Sequence, residues 1–322
     1  MSVELADVVV AQPATIEEAV ALAADAGARY VAGGTDLIVN MRRGVTTAAR
    51  LVDISGIAAL KTIVVEANGA VIGGGVEIAR LVGHDGIARL FPVIAQAAVT
   101  IAAPAHRNVA TVGGNLCLDT RCIYYNQSEW WRRSNGWCLK NRGDTCHVAP
   151  RGERCHAAFS GDLAPALLAL DAEVEIAGSA GRRRMPLRDL YVEDGKAHLT
   201  LAPGELLVCV RVTRKMDAFA YEKIRQRGAI DYPLAGVAVG LTMRERRIAD
   251  LRIGLTGLAS YPFLAAGLEN LVGREVDDDL LKEIDRAVQR QAQPMRTTLA
   301  AAHYRRLAAA AVARRLVARL AA

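Results

Sequence analysis

The chain has 322 residues, 52% apolar and 23% charged, with a formal net charge of +6 from 40 Lys and Arg against 34 Asp and Glu. That length suffices for two or three domains with ample cores, and the charge excess is too small to argue for nucleic acid by itself. No apolar run approaches the ~18 residues a spanning helix needs, and the acidic start, Met1 to Asp7, has no basic stretch before an apolar core. No signal peptide is expected, and a cytoplasmic, reducing location is.

Val8 to Val10 is a short β-branched run, and Thr15 caps a helix with Glu17 and Glu18 in its first turn. Tyr30-Val31-Ala32 reads as a strand running into Gly33-Gly34-Thr35-Asp36 and then Leu37 to Arg42, a helical start. Strand, glycine turn and helix N-terminus together suit a pyrophosphate, because glycines let backbone N–H groups approach an anion. Two glycines alone also fit a plain βα turn, and the spacing is not that of a Rossmann turn. Leu51 to Ile54 is a second strand, and Asn68-Gly69 marks a hairpin between Leu60–Glu66 and Ala70–Gly75. Ile78 to Gly83 and Pro92 to Thr100 read as helices, and His84 and His106 as structural. A second glycine turn follows at Thr111-Val112-Gly113-Gly114-Asn115. Two such turns facing each other suit a dinucleotide.

After Asp162, Ala164 to Leu170 is helical; Glu173–Ala177, Arg183–Met185 and Leu206–Val212 are strand candidates. Phe219–Arg225, Ala235–Met243 and Ile248–Leu255 form an antiparallel set. Helices are expected over Phe263–Leu271, Asp279–Gln289 and Thr297–Leu320. On the last, His303, Arg305, Arg306, Arg314, Arg315 and Arg319 read as a solvated basic face.

Between the second glycine turn and Phe159 lies a segment with neither period. It holds Cys117, Cys122, Cys138, Cys146 and Cys155, along with Trp130, Trp131 and Trp137. A long aperiodic loop in a compact domain is usually functional or disordered, and clustered cysteines with tryptophans are not the composition of disorder. Thiols gathered in a reducing compartment point to a metal. The spacing Cys122-x15-Cys138-x7-Cys146-x8-Cys155 lacks the short C-x2-C hook of structural zinc and the compact ferredoxin run, so spacing leaves the metal open. Four soft ligands suit iron–sulfur chemistry. Arg121, Arg132, Arg133, Lys140, Arg142, Arg151 and Arg154 are placed to offset an anionic cluster, with the tryptophans as a water shield. Cys117 and Cys209 are read as buried thiols. A single-strand-binding loop, a zinc-stapled docking loop and a non-enzymatic metal-binding protein are the competing readings.

Three motifs in order, Ala32-Gly33-Gly34-Thr35-Asp36-Leu37, Arg107-Asn108-x-x-Thr111-x-Gly113-Gly114-Asn115 and Ser160-x-Asp162-Leu163-x-Pro165, resemble the FAD-binding medium subunit of the xanthine oxidase / carbon monoxide dehydrogenase family. The likeness spans nearly the whole chain. Most such subunits lack the cysteine segment. In this respect the chain resembles the 4-hydroxybenzoyl-CoA reductase branch, whose β subunit carries a [4Fe-4S] cluster in such an insertion.

The resemblance implies an α+β fold of the PCMH flavoprotein type. An N-terminal FAD subdomain spans 1–57, a second spans 58–215 with the insertion at 119–158, and a C-terminal domain of antiparallel sheet and helices spans 216–322. Ala32, Gly33, Gly34, Thr35, Asp36 and Leu37 are expected on one side of the pyrophosphate; Thr111, Gly113, Gly114 and Asn115 are expected on the other. Ile101, Asp162, Leu207 and Lys223 match family positions near FAD. Cys122, Cys138, Cys146 and Cys155 are the expected cluster ligands, and no catalytic residue is expected here. Implied partners are a large molybdenum-cofactor subunit, a small subunit with two [2Fe-2S] clusters, and ferredoxin as donor, in a dimer of heterotrimers. No membrane or nucleic-acid partner is expected. Electrons are expected to run inward to molybdenum, where the aromatic thioester loses its para-hydroxyl. The runner-up is a hydroxylase flavin subunit reducing NAD or quinone, its loop a structural metal staple.

Overall fold

The structure is a computed structural model describing residues 8–213 and 216–322. The acidic start from Met1 to Asp7 and the boundary placed at 215 lie outside the described residues. Three sheets, each with its own helices, follow one another along the chain.

The first sheet is parallel, in the order β1 (Val9–Ala11), β3 (Arg50–Asp53), β2 (Ala28–Val31). Its crossovers are α1 (Ile16–Ala23) and α2 (Leu37–Arg42). Thr15 caps α1 as expected, its side chain accepting from the Glu18 N–H at 3.1 Å.

The second sheet is antiparallel, ordered β4 (Ile63–Glu66), β5 (Gly69–Gly73), β8 (Leu206–Val212), β6 (Glu173–Gly178), β7 (Gly181–Pro186). The Asn68-Gly69 hairpin forms, with Glu66 opposite Gly69. Between β5 and β6 the chain lays down α3 (Ile78–Val82), α4 (Asp85–Leu90), α5 (Pro92–Val99), α6 (Pro104–Arg107), α7 (Val112–Leu116), the cysteine segment with α8 (Glu129–Ser134), and α9 (Leu163–Ala169). His84 is structural, as read: its Nδ1 accepts from the Ile87 N–H and caps α4. Every residue of α9 is buried. That follows from its composition, Leu-Ala-Pro-Ala-Leu-Leu-Ala, which offers no polar face.

The third sheet is antiparallel, ordered β12 (Phe263–Leu264), β11 (Arg247–Thr256), β10 (Ala235–Arg244), β9 (Ala218–Ile224). It packs on α10 (Asp278–Gln291) and α11 (Ala302–Ala321). No described helix is long and apolar enough to cross a membrane.

Two expected helices differ. In place of the helix expected over Phe263 to Leu271 there is a short edge strand, Phe263–Leu264, with Leu264 opposite Gly254, and a single 3-10 turn at Glu269–Leu271. Short apolar runs suit either element, and the free edge of β11 decided this one. The last helix starts at Ala302, not Thr297. Thr297 is buried instead, its hydroxyl accepting from Arg305 at 3.1 Å and its carbonyl from the Ile123 N–H at 3.0 Å. Arg305 is therefore not on a solvated face. It is 1% exposed and also donates to the Leu234 carbonyl at 2.9 Å and the Met295 carbonyl at 3.0 Å.

Candidate functional site: paired glycine turns beside a cysteine cavity

β2 ends at Val31, and the chain turns through Ala32, Gly33, Gly34 and Thr35 to Asp36, which caps α2. Gly33 lies so close to the backbone of Val109 that a Cβ would sit 2.1 Å from its carbonyl oxygen. Gly34 has φ +67, the left-handed region that a side chain disfavours. The N–H groups of Gly33, Gly34 and Thr35 have no acceptor among the described residues. Open backbone donors ahead of a helix are what an anionic guest requires.

Contact with Val109 sets the first turn beside the second, since Thr111 is two residues on. Thr111 caps α7, its hydroxyl accepting from the Gly114 N–H at 3.1 Å. The Gly113 N–H donates to the Gly74 carbonyl and the Gly74 N–H to the Val208 carbonyl, each at 2.7 Å. Leu207 is thereby held next to the second turn. The Asn115 Oδ1 accepts from the Leu163 N–H at 3.1 Å, which fixes Asp162 at the same place.

Asp162 is buried. Tyr221 donates to one of its carboxylate oxygens at 2.6 Å and Lys223 to the other at 3.0 Å. Lys223 also reaches the Thr100 carbonyl at 3.1 Å, next to buried Ile101. Burial raises the Asp162 carboxyl above its usual range even against these donors. The expected positions from Ala32 to Lys223 thus meet in one region. Sequence reasoning missed Tyr221 and Gly74. Tyr221 lies two residues from Lys223 on one strand and so shares its face; Gly73-Gly74-Gly75 at the end of β5 was the signal for the other.

The cysteine segment is closed at its base by Arg121 and Ala158, which exchange backbone hydrogen bonds of 2.7 and 2.8 Å. Cys122, Cys138, Cys146 and Cys155 are all buried and line one small cavity, together with Tyr124, Tyr125, Lys140 and His147. Backbone N–H groups of Tyr124 and Tyr125 face the Cys122 sulfur, which burial nevertheless pushes up to about 11. Cys155 and Cys146 are in hydrogen-bond contact, and this with the N–H groups of His156, Val148 and Ala149 draws the Cys146 thiol below its usual range while Cys155 is pushed up. The Ala157 N–H donates to Cys155 Sγ at 3.4 Å. Asn126 accepts from the Cys122 N–H at 3.0 Å, and its buried Nδ2 has no partner among the described residues.

No three described His, Cys, Asp or Glu side chains converge tightly enough for a single metal ion. Thiolates around one zinc sit ~2.3 Å from it; a polynuclear cluster interposes several metal atoms and holds its sulfurs farther apart. Four buried thiols around one cavity, Cys146 and Cys155 in direct contact, met by N–H donors and an orphaned amide, are a soft donor set.

Cys209 is a buried thiol on β8, as read, and Cys117 is only partly buried. Among the described residues no tryptophan lines the cavity, and Trp131 reaches it only through Tyr124, with ring centroids 6.0 Å apart. Trp130 is 68% exposed and Trp137 lies under Arg142, 4.8 Å from its ring centroid. Tyr124 and Tyr125 wall the cavity instead. Most of the cations also point elsewhere. Arg132 donates to the carbonyls of Gln127 at 3.0 Å and Gly44 at 2.6 Å, Arg142 pairs with Glu129 and Arg154 with Glu193. Arg121 pairs with Asp36 and donates to Asn40 at 3.1 Å, and the Asp119 N–H donates to Asp36 at 3.3 Å. The cysteine segment and the first glycine turn therefore share a wall.

Residues 4–215 match the FAD binding domain in molybdopterin dehydrogenase, and residues 219–320 match the CO dehydrogenase flavoprotein C-terminal domain. The chain belongs to this family of FAD-binding subunits. The flavin subunit is 31% identical over 315 residues to the carbon monoxide dehydrogenase medium chain of Afipia carboxidovorans, covering 96% of this chain and 94% of that one. It is 32% identical over 247 residues to the aldehyde oxidoreductase FAD-binding subunit PaoB of Escherichia coli K12, covering 74% and 76%. Among solved structures it is similar to reconstituted CO dehydrogenase from Oligotropha carboxidovorans, with a TM-score of 0.80, 28% identity and 97% of each chain covered.

Proposed function

We propose that this chain is the electron-entry subunit of a molybdenum enzyme that reductively dehydroxylates 4-hydroxybenzoyl-CoA to benzoyl-CoA. In this reading it takes single electrons from reduced ferredoxin through a [4Fe-4S] cluster and FAD, and works with a large molybdenum-cofactor subunit and a small subunit carrying two [2Fe-2S] clusters. The complex is a cytoplasmic dimer of heterotrimers. The observation that carries the reading is the cavity lined by Cys122, Cys138, Cys146 and Cys155, in a segment tied to the first glycine turn through the contacts of Arg121 and Asp119 with Asp36.

When bound, the cluster supplies one-electron steps and FAD couples one-electron to two-electron carriers. The chain's own residues supply placement. Within Ala32 to Leu37 the open N–H groups of Gly33, Gly34 and Thr35 offer backbone donors to the pyrophosphate; Thr111, Gly113, Gly114 and Asn115 border its other side, the N–H groups of Gly113, Gly114 and Asn115 being taken by Gly74 and Thr111. Ile101, Asp162, Leu207 and Lys223 border the flavin, and the buried Asp162–Lys223 pair keeps that wall rigid and dry. The four cysteines are the cluster ligands, with Tyr124 and Tyr125 excluding water.

The test is the double variant Cys138→Ser/Cys146→Ser in the assembled complex. Ferredoxin-driven flavin reduction is expected to collapse while FAD stays bound. Undiminished reduction with iron gone from the loop rejects the entry-port role. A second reading has support from the relatives, which are an aldehyde oxidoreductase subunit and a CO dehydrogenase medium chain. There the chain serves a hydroxylase that passes electrons outward to NAD or quinone, and the loop is a structural staple. Bleaching of the complex's flavin by NADH favours that second reading.

A further inference from the structure

We propose that Lys140 is the residue that sets the reduction potential of the group held by the four cysteines, with Asp119 and Thr120 as its positioning residues. This rests on the cluster reading above. Of the cations along the cysteine segment, only Lys140 lines the cavity among the described residues. Arg121, Arg132, Arg142 and Arg154 are spent on Asp36, backbone carbonyls, Glu129 and Glu193, and Arg133 and Arg151 are exposed.

Lys140 is fixed from several sides. Its side chain is 5% exposed. Its Nζ donates to Asp119 Oδ1 at 2.6 Å and to the Thr120 hydroxyl, and it lies 4.5 Å from the centroid of the Tyr125 ring. Thr120 is fully buried and its hydroxyl donates to the Gly195 carbonyl at 2.5 Å, so a lone pair is left for the ammonium. A flexible lysine is thus held in one pose at the cavity wall, paired to a carboxylate, Asp119, that does not itself line the cavity.

Adding an electron to a thiolate-bound cluster makes an anionic group more anionic. A cation fixed nearby, in a site of low dielectric, favours that reduced form more than the oxidised one. Lys140 then raises the potential, which suits a centre that must accept electrons from a donor outside the chain. Asp119 also donates its backbone N–H to Asp36 in the first glycine turn. The anchor of Lys140 is therefore built from the same segment that braces the flavin side.

The test is a redox titration of the assembled complex, followed by the paramagnetic signal of the reduced cluster, on wild type, Lys140→Met, Lys140→Gln and Lys140→Arg. Full iron content with a midpoint lowered in the Met and Gln variants is expected. The size expected is about tenfold in the reduced-to-oxidised ratio at fixed potential, roughly 59 mV for a one-electron couple. Lys140→Arg should stay near wild type. An unmoved midpoint with full iron overturns the assignment, as does Lys140→Arg shifting as far as Lys140→Met. Loss of iron from both neutral variants makes Lys140 a builder of the site and also overturns it. Failure of the parent reading is distinct, because it shows as loop iron missing from the wild type.

Discussion

Lys223 Nζ lies 3.0 Å from Asp162 Oδ2, and both side chains are sealed, at 2% and 4% exposure. The pair joins β9 of the third sheet to the residue that immediately precedes α9 of the second. Lys223→Met leaves a buried carboxyl facing an apolar side chain. Removing one partner of a buried pair costs about 3–5 kcal/mol. A fall in Tm of several degrees is expected in thermal unfolding, and Asp162→Asn added to Lys223→Met should recover part of it. Equal Tm for wild type and the single variant removes the pair from the account.

Gly33→Ala tests the pairing of the glycine turns. The new methyl would sit 2.1 Å from the Val109 carbonyl oxygen, so one turn must move away from the other. Flavin affinity is expected to weaken about tenfold or more, a loss of ~1.4 kcal/mol or greater. The flavin-to-protein absorbance ratio after gel filtration reads it. Full retention of FAD means the turns do not act together.

Thr111→Ala removes the side-chain cap of α7, where the hydroxyl accepts from Gly114 at 3.1 Å. The expected cost is about 1 kcal/mol in denaturant unfolding, with Thr111→Ser restoring most of it.

Glu175 gives a pH dependence. Burial would raise its carboxyl, yet hydrogen bonds from Arg182, Arg184 and Arg211 outweigh that and hold it below 4.5. A carboxyl with a lowered folded-state pKa contributes stability above its unfolded value, lost as pH falls through the folded one. The Tm gap between wild type and Glu175→Gln should be widest near neutral pH and close below about pH 4. A gap that widens on acidification has the wrong sign.

The glycine turns were legible because their chemistry is local: strand, two glycines, helix start. That four of the cysteines would come together was legible because sulfur so concentrated in an aperiodic segment points to a shared site, and Cys122, Cys138, Cys146 and Cys155 do line one cavity. What brings these together was not legible. Gly33 meeting Val109, Asn115 meeting Leu163 and Tyr221 meeting Asp162 are contacts between elements, and periodicity along one element carries no information about its neighbour. The same limit explains the misplaced tryptophan shield. Trp130 on α8 faces outward, while Tyr124 and Tyr125, ordinary in sequence, stand at the cavity. Arg305 looked like part of a basic surface because composition does not say which cation the carbonyls of Leu234 and Met295 will claim.

The central claim is that the four buried thiols hold a four-iron cluster beside the flavin. Iron and acid-labile sulfide per FAD, measured on the anaerobically purified complex, test it most directly when wild type is compared with Cys138→Ser/Cys146→Ser. The account expects the variant to lose about four irons and four sulfides per flavin while keeping its FAD. Equal iron and sulfide in the two proteins, or zinc in place of iron, would contradict it.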